Sequence, residues 1–260
     1  MPGPRKLEAA TDGWDPVPDA EGRFSTGISD FDRLLGGGFQ RGSVVLLGVD
    51  ETVEQEDIDL LLLPTYLNFL YQSRGIIAVL PSRDSPHRFR ARLTRYVTRR
   101  RFDSRVRVVD YVGEDEGLSY VVNLKAKDGP SRQPSARETK AAIAKMVVAE
   151  KAVAGNRKRP FLEFYACEVL ETLMGSEQAA TMFFLGAKRS RTIGNLLIVP
   201  MAAGLGMSAA ARRMADAEFA LHHDEVGLMI RGIRPAFPNH VVLPDPRAGP
   251  PHVAFVPRPV

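Results

Sequence analysis

Short apolar runs separated by stretches of helical periodicity recur from residue 43 to the end of the chain. Residues 43–48 (Ser-Val-Val-Leu-Leu-Gly) are apolar without alternation, the pattern of a strand covered on both faces. Residues 76–80 repeat it, and 105–109, 160–165 and 195–200 are further short strand runs. Between them the spacing predicts helices over 57–73, 86–101, 135–154 and 168–187. Pro64 should kink the first or mark its true start, and Pro86 opens the second in its first turn. A shorter helix over 27–35 should stop at Gly36-Gly37-Gly38. Residues 125–137 form an expected exposed loop, 204–211 a small-residue connection, and 217–222, 226–233 and 241–242 a terminal meander. This order predicts an α/β fold: a mainly parallel central sheet flanked by helices, with an antiparallel C-terminal edge. Residues 1–24, rich in Pro, Gly and Asp, predict a flexible N-terminal arm with Trp14 as its anchor, and 25–260 one domain.

Composition narrows the class. With 44% hydrophobic and 25% charged residues, the chain is neither disordered nor a membrane protein. The run Leu60–Leu63 falls far short of the roughly 20 apolar residues that cross a bilayer. Residues 1–6 lack the apolar stretch of a secretory signal, so a cytoplasmic location is expected. Cys167 is the sole cysteine, which excludes an internal disulfide and a cysteine metal cluster. His222 and His223 are adjacent and would point to opposite faces of a strand, a poor chelate. Neither metal nor cofactor is expected. The net charge of +4 is a mild excess.

The segment 25–48, Ser-Thr-Gly-Ile-Ser-Asp-Phe-Asp-Arg-Leu-Leu-Gly-Gly-Gly-Phe-Gln-Arg-Gly-Ser-Val-Val-Leu-Leu-Gly, resembles the opening of KaiC- and RecA-family ATPase domains. The later strand order and residues 212–221 are similar to the same family. The resemblance implies the RecA-like P-loop fold and a phosphate loop directly after Gly48. Such a loop needs glycines whose N–H groups face phosphate, a lysine, and a hydroxyl that holds magnesium. Counted from Gly48, Val53 stands at the second glycine, Glu54 at the lysine and Gln55 at the hydroxyl. Asp50, Glu51, Glu54, Glu56, Asp57 and Asp59 add six carboxylates here without one basic residue. A like-charge pair at 4 Å costs on the order of 1 kcal/mol even in water, so the exchange opposes a polyanion. The helix N-terminus still favours anions, a role its own carboxylates can fill.

Two further positions agree. Where the resemblance implies a water-activating glutamate pair, Arg83 and Asp84 stand. Where it implies the magnesium-orienting Asp-Ser, Tyr165 and Ala166 stand. Glu163, inside the same strand, is expected to be a paired buried acid. Residues 83–107 hold ten arginines against Asp84 and Asp103. Arg88, Arg92, Arg95 and Arg99 fall at helical spacing on one stripe. Three readings of that stripe stay open: a phosphate-tracking surface for nucleic acid, an interface meeting the acidic segment of a neighbouring subunit, or a solvated face. The expectation is therefore a non-catalytic relative of ATPases acting as a regulatory or scaffolding subunit, as a homo-oligomer or with a RecA-like partner. The alternatives are a nucleic-acid-associated accessory protein and an ATPase with an unorthodox loop.

Overall fold

The computed structural model describes residues 14–111, 117–124, 136–155, 159–245 and 251–258. In chain order the elements are β1 (Arg23–Phe24), α1 (Ser29–Leu34), β2 (Phe39–Gln40), β3 (Val44–Val49), α2 (Gln55–Tyr71), β4 (Ile76–Val79), α3 (Pro86–Leu93), α4 (Arg99–Arg105), β5 (Val106–Asp110) and β6 (Val121–Asn123). There follow α5 (Ala136–Ala154), β7 (Leu162–Tyr165), α6 (Cys167–Met174), α7 (Ser176–Ile193), β8 (Leu196–Ala202), α8 (Ser208–Met214), β9 (Ala217–Asp224), β10 (Gly227–Arg234), β11 (Ala236–Pro244) and β12 (Val253–Pro257). The main sheet runs β12-β11-β10-β9-β3-β8-β7-β4-β5-β6. It is parallel from β9 to β6 and antiparallel from β9 to β12. The expected α/β architecture, with its antiparallel C-terminal edge, is present.

Alternation along the central strands sends side chains to two cores. Val45, Leu47, Ile76 and Ala78 pack under α1 and α2, whereas Val44, Leu46 and Val199 pack under α6, α7 and α8. Ile77 and Val79 face Val153 of α5. Burying each such side chain contributes roughly 1.5–3 kcal/mol. That is why runs dominated by apolar residues form the middle of the sheet.

The opening signature is a knot of hydrogen bonds. The buried Asp32 carboxylate accepts from the Ser25 hydroxyl (2.5 Å), the Thr26 N–H (2.8 Å) and the Thr26 hydroxyl (2.8 Å). Thr65 of α2 donates its hydroxyl to the Thr26 carbonyl at 2.7 Å, fastening the knot to the helix. Gly27 has φ +78°, and a Cβ there would lie 2.5 Å from the Pro64 carbonyl oxygen. Only glycine meets both demands. Pro64 stays inside an unbroken α2.

Two helix expectations change in detail. The helix expected over 86–101 is two: α3 ends at Leu93, and Thr98 caps α4 by accepting from the Arg101 N–H at 3.2 Å. The helix expected over 168–187 splits at Gly175, whose φ of +78° lies outside helical space. Of the 125–137 loop, residues 125–135 lie outside the described residues. Within the N-terminal arm, the described part from Trp14 onward packs on the domain. Trp14 is buried and stacks on His252 at 4.8 Å, and Asn68 and Gln72 both donate to the Val17 carbonyl.

Candidate functional site: the carboxyl ends of β3, β4 and β7

The loop after β3 folds back on itself. The Asp50 N–H donates to the Leu221 carbonyl at 3.0 Å and the Val53 N–H to the Asp50 carbonyl at 3.1 Å. The Thr52 N–H and hydroxyl both donate to Asp50 Oδ1, at 3.1 and 2.9 Å. Those bonds, the N–H first, hold the Asp50 carboxyl below its ordinary range. The Glu54 N–H donates to Asp57 Oδ2 at 2.9 Å, so the first turn of α2 takes an anion from its own sequence. His223 on β9 closes the far side, its Nε2 at 2.9 Å from Asp57 Oδ2 and its N–H donating to the Thr52 hydroxyl at 3.2 Å. Thr52, Glu54, Glu56, Asp57 and His223 line an open cleft of about 340 Å³. Gly48 is the penultimate residue of β3, Val53 and Glu54 lie in the loop, and Gln55 is the first residue of α2. The side chain of Gln55 turns to Asp59 (3.1 Å).

Asp84 follows β4, and its carboxylate is almost wholly buried, at 1% exposure. Arg92 of α3 grips it with both guanidinium nitrogens, one of them at 3.0 Å. The Nε of Arg92 reaches Asp59 of α2 at 2.8 Å. One cation therefore joins two acids and three segments. Burial raises the Asp59 carboxyl to about 6; Arg92 and Gln55 oppose the rise, while Asp84 and Glu56 add to it.

A carboxyl raised in the folded state stabilises the fold at low pH, and the contribution disappears as pH rises through the folded value. For Asp59 the window runs from about 4 to about 6. Wild type should gain about 1 kcal/mol over Asp59→Asn when pH falls from 7.5 to 5.5, measured by denaturant titration at both pH values. Parallel curves for the two proteins would contradict this.

At the end of β7, Tyr165 occupies the position expected of a magnesium-orienting acid. Its ring is half-buried against both the α5 core and the α6–α7 core, and desolvation raises the phenol well above its ordinary range. Ala166 is fully buried, its N–H donating to the Val79 carbonyl at 3.0 Å. Glu163 is the paired acid expected: Ser190 Oγ donates to Oε1 at 2.8 Å and Asn195 Nδ2 at 2.6 Å. Its burial raises the carboxyl against those two bonds. Sequence reasoning does not single out Glu168 and weighs His223 only as a metal chelate. Burial raises the Glu168 carboxyl, which accepts a bond from the Ser82 backbone and lies near Arg83. Its signal was an acid three residues past Tyr165. Among the described residues no group of three or more His, Cys, Asp or Glu is arranged to hold a metal ion. No helix there is long and apolar enough to cross a membrane.

The arginine stripe does not form as one face, because α3 and α4 are separate helices. Arg92 turns inward to its two aspartates, and Arg90 pairs with Asp103 through two bonds of 3.0 Å. Arg88, Arg95 and Arg99 stay exposed. Arg88 contacts the Arg83 carbonyl at 3.3 Å.

Comparison with known proteins bears on both fold and family. A solved KaiC-like protein from the hyperthermophilic archaeon Pyrococcus horikoshii superposes with a TM-score of 0.61 at 12% identity. The match covers 92% of this chain and all of that one, and it shows the shared RecA-like fold. Protein GvpD1 of Halobacterium salinarum is 38% identical over 104 residues, which is 40% of this chain and 19% of that protein. Protein GvpD2 of the same organism is 32% identical over 127 residues, 48% of this chain and 26% of that protein. The matched region thus spans about a fifth to a quarter of these curated relatives. The family model described as GvpD basic region 2 matches residues 13–235, so the chain belongs to the GvpD basic region 2 family, carried on a RecA-like fold.

Proposed function

We propose that the chain is a non-catalytic RecA-like protein that acts as a regulatory or scaffolding subunit, in contact with copies of itself or with a RecA-like relative. The observation that carries this reading is the self-closed turn after β3. The N–H groups of Asp50, Thr52, Val53 and Glu54 all donate within the chain, two of them to carboxylates. Glu54 stands where a phosphate-binding lysine would be needed. A triphosphate seated there would have to displace Asp57 from its N–H and face Asp50, Glu51, Glu54 and Glu56 with no cation in return. The other two positions support the same reading, since Arg92 engages Asp84 and the Tyr165 ring offers no carboxylate.

Calorimetric titration of the full chain with magnesium-ATP, run beside a solution mass measurement, tests the proposal. The expected result is no saturable binding at micromolar nucleotide and a defined oligomer. Micromolar saturable binding, or ATP turnover lost in Asp84→Asn, overturns it in favour of an ATPase with an unorthodox loop.

A second reading, a nucleic-acid-associated accessory protein, draws on Arg88, Arg95 and Arg99, which are exposed on α3, the turn after it and α4. Retention on DNA that falls steeply with salt and weakens on replacing these three residues would favour it. Retention indifferent to them would remove it.

A further inference from the structure

Helix α7 is built the wrong way round for a surface helix. Toward the sheet it turns mostly small residues, Ala179, Ala187 and Ser190, beside one large one, Phe183. Toward solvent it turns Met182, Phe184 and Leu185, which are 50%, 49% and 55% exposed. A helix that only covers a sheet carries its large apolar residues inward and polar ones outward. Exposing three of them within one turn does nothing for this domain's core. The neighbouring helix continues the feature, with Val147 and Val148 of α5 at 38% and 67% exposure.

The two helices lie side by side. Each leads into one of a pair of adjacent parallel strands, β7 and β8, and Arg189 of α7 forms an ion pair with Glu150 of α5. One turn back from that pair along each helix come Leu185 and Val147. Two parallel ridges with apolar flanks enclose a furrow of the kind that receives a third helix. The surrounding charge is one-sided. Among the α5 and α7 side chains that are described, the exposed charges without an ion-pair partner are Lys140, Lys145, Lys151 and Lys188, against Glu177; Arg189 and Arg191 are already paired with Glu150 and Asp216.

We propose that the α5–α7 face is a docking surface for an amphipathic helix of another protein, with an apolar stripe for the furrow and acidic flanks for the lysines. An apolar centre with a charged rim is the anatomy of a protein interface. A second copy presenting the same face would set cations against cations. A membrane surface is disfavoured because the patch lacks the Trp and Tyr side chains that anchor proteins at lipid headgroups. The sole tryptophan, Trp14, is buried elsewhere.

The test uses the full chain and a fluorescent synthetic peptide of about 18 residues, with leucines at i, i+3, i+4 and i+7 and glutamates on its flanks. A scrambled peptide of the same composition and phosphatidylglycerol vesicles are run in parallel. The expected result is saturable anisotropy with the patterned peptide and none with the scrambled one. Leu185→Glu should weaken binding at least about tenfold with circular dichroism and Tm unchanged. Lys188→Glu should also weaken it, and Val226→Gln, at an exposed apolar residue of the β9–β10 turn, should not. Equal binding of the scrambled peptide, or unchanged binding in Leu185→Glu, overturns the proposal. So does vesicle binding that depends on Leu185 without any peptide binding.

Discussion

Arg92→Ala should lower the unfolding free energy at pH 7.5 by about 3 kcal/mol, whereas Arg95→Ala should change it by less than about 0.5 kcal/mol. The two arginines sit three residues apart in an arginine-rich stretch, and composition treats them alike. Arg95 is exposed. Arg92 neutralises a carboxylate that is 1% exposed and a second that is 18% exposed. Removing it leaves Asp59 and Asp84 close together and largely buried without a cation, the case in which breaking a buried pair is most costly. Arg92→Lys should fall between the two, because a single ammonium cannot reproduce the two-nitrogen grip on Asp84 together with the Nε contact to Asp59. The deficit of Arg92→Ala should also shrink toward pH 5, where one of the two acids takes up a proton. Chemical denaturation of the three variants at pH 7.5 and pH 5 measures all of this. Indistinguishable Arg92→Ala and Arg95→Ala would mean that the strut carries no weight.

Asp32→Ala should cost a similar amount, about 3 kcal/mol, with no contribution from any ligand. The carboxylate accepts from three donors in a buried place, and truncation would leave two hydroxyls and the Thr26 N–H without it. Each unsatisfied buried donor costs about 1–3 kcal/mol, partly recovered by rearrangement. Asp32→Asn keeps one acceptor oxygen and should lose about half as much. If Asp32→Ala unfolds within about 1 kcal/mol of wild type, the knot is not what holds the opening segment to α2. This distinction matters for the family signature: on this chain its serine, threonine, glycine and aspartate are accounted for by folding, before any ligand is considered.

The sheet was legible because its strands are nearly pure apolar runs. Residues 43–48 and 195–200 had no helical alternative of that length, and Glu163 inside such a run pointed to a paired acid, with Ser190 and Asn195 as the partners found. Strand β6 was missed because three half-buried residues carry no period. The break between α3 and α4 was hidden by Phe89, Leu93 and Tyr96, whose spacing continues a helix while Thr98 starts a new one. The role of Arg92 was out of reach for another reason. Its partners stand 8 and 33 positions earlier, so local periodicity put it on a stripe and tertiary contact took it off. The turn after β3 was legible in sign, through its carboxylates, but not in detail. That His223 would come to Asp57 depends on β9 lying beside β3, which no local pattern encodes.

The aromatic clasp at the sheet edge has a consequence for how the chain is made. Phe31 stacks on Phe255 at 4.7 Å and Trp14 on His252, so two early aromatic residues find their stacking partners more than two hundred positions later. During synthesis those rings emerge long before the strand that shields them exists. The nascent chain therefore carries an uncovered sticky edge until β12 has been made, an interval in which aggregation competes with folding.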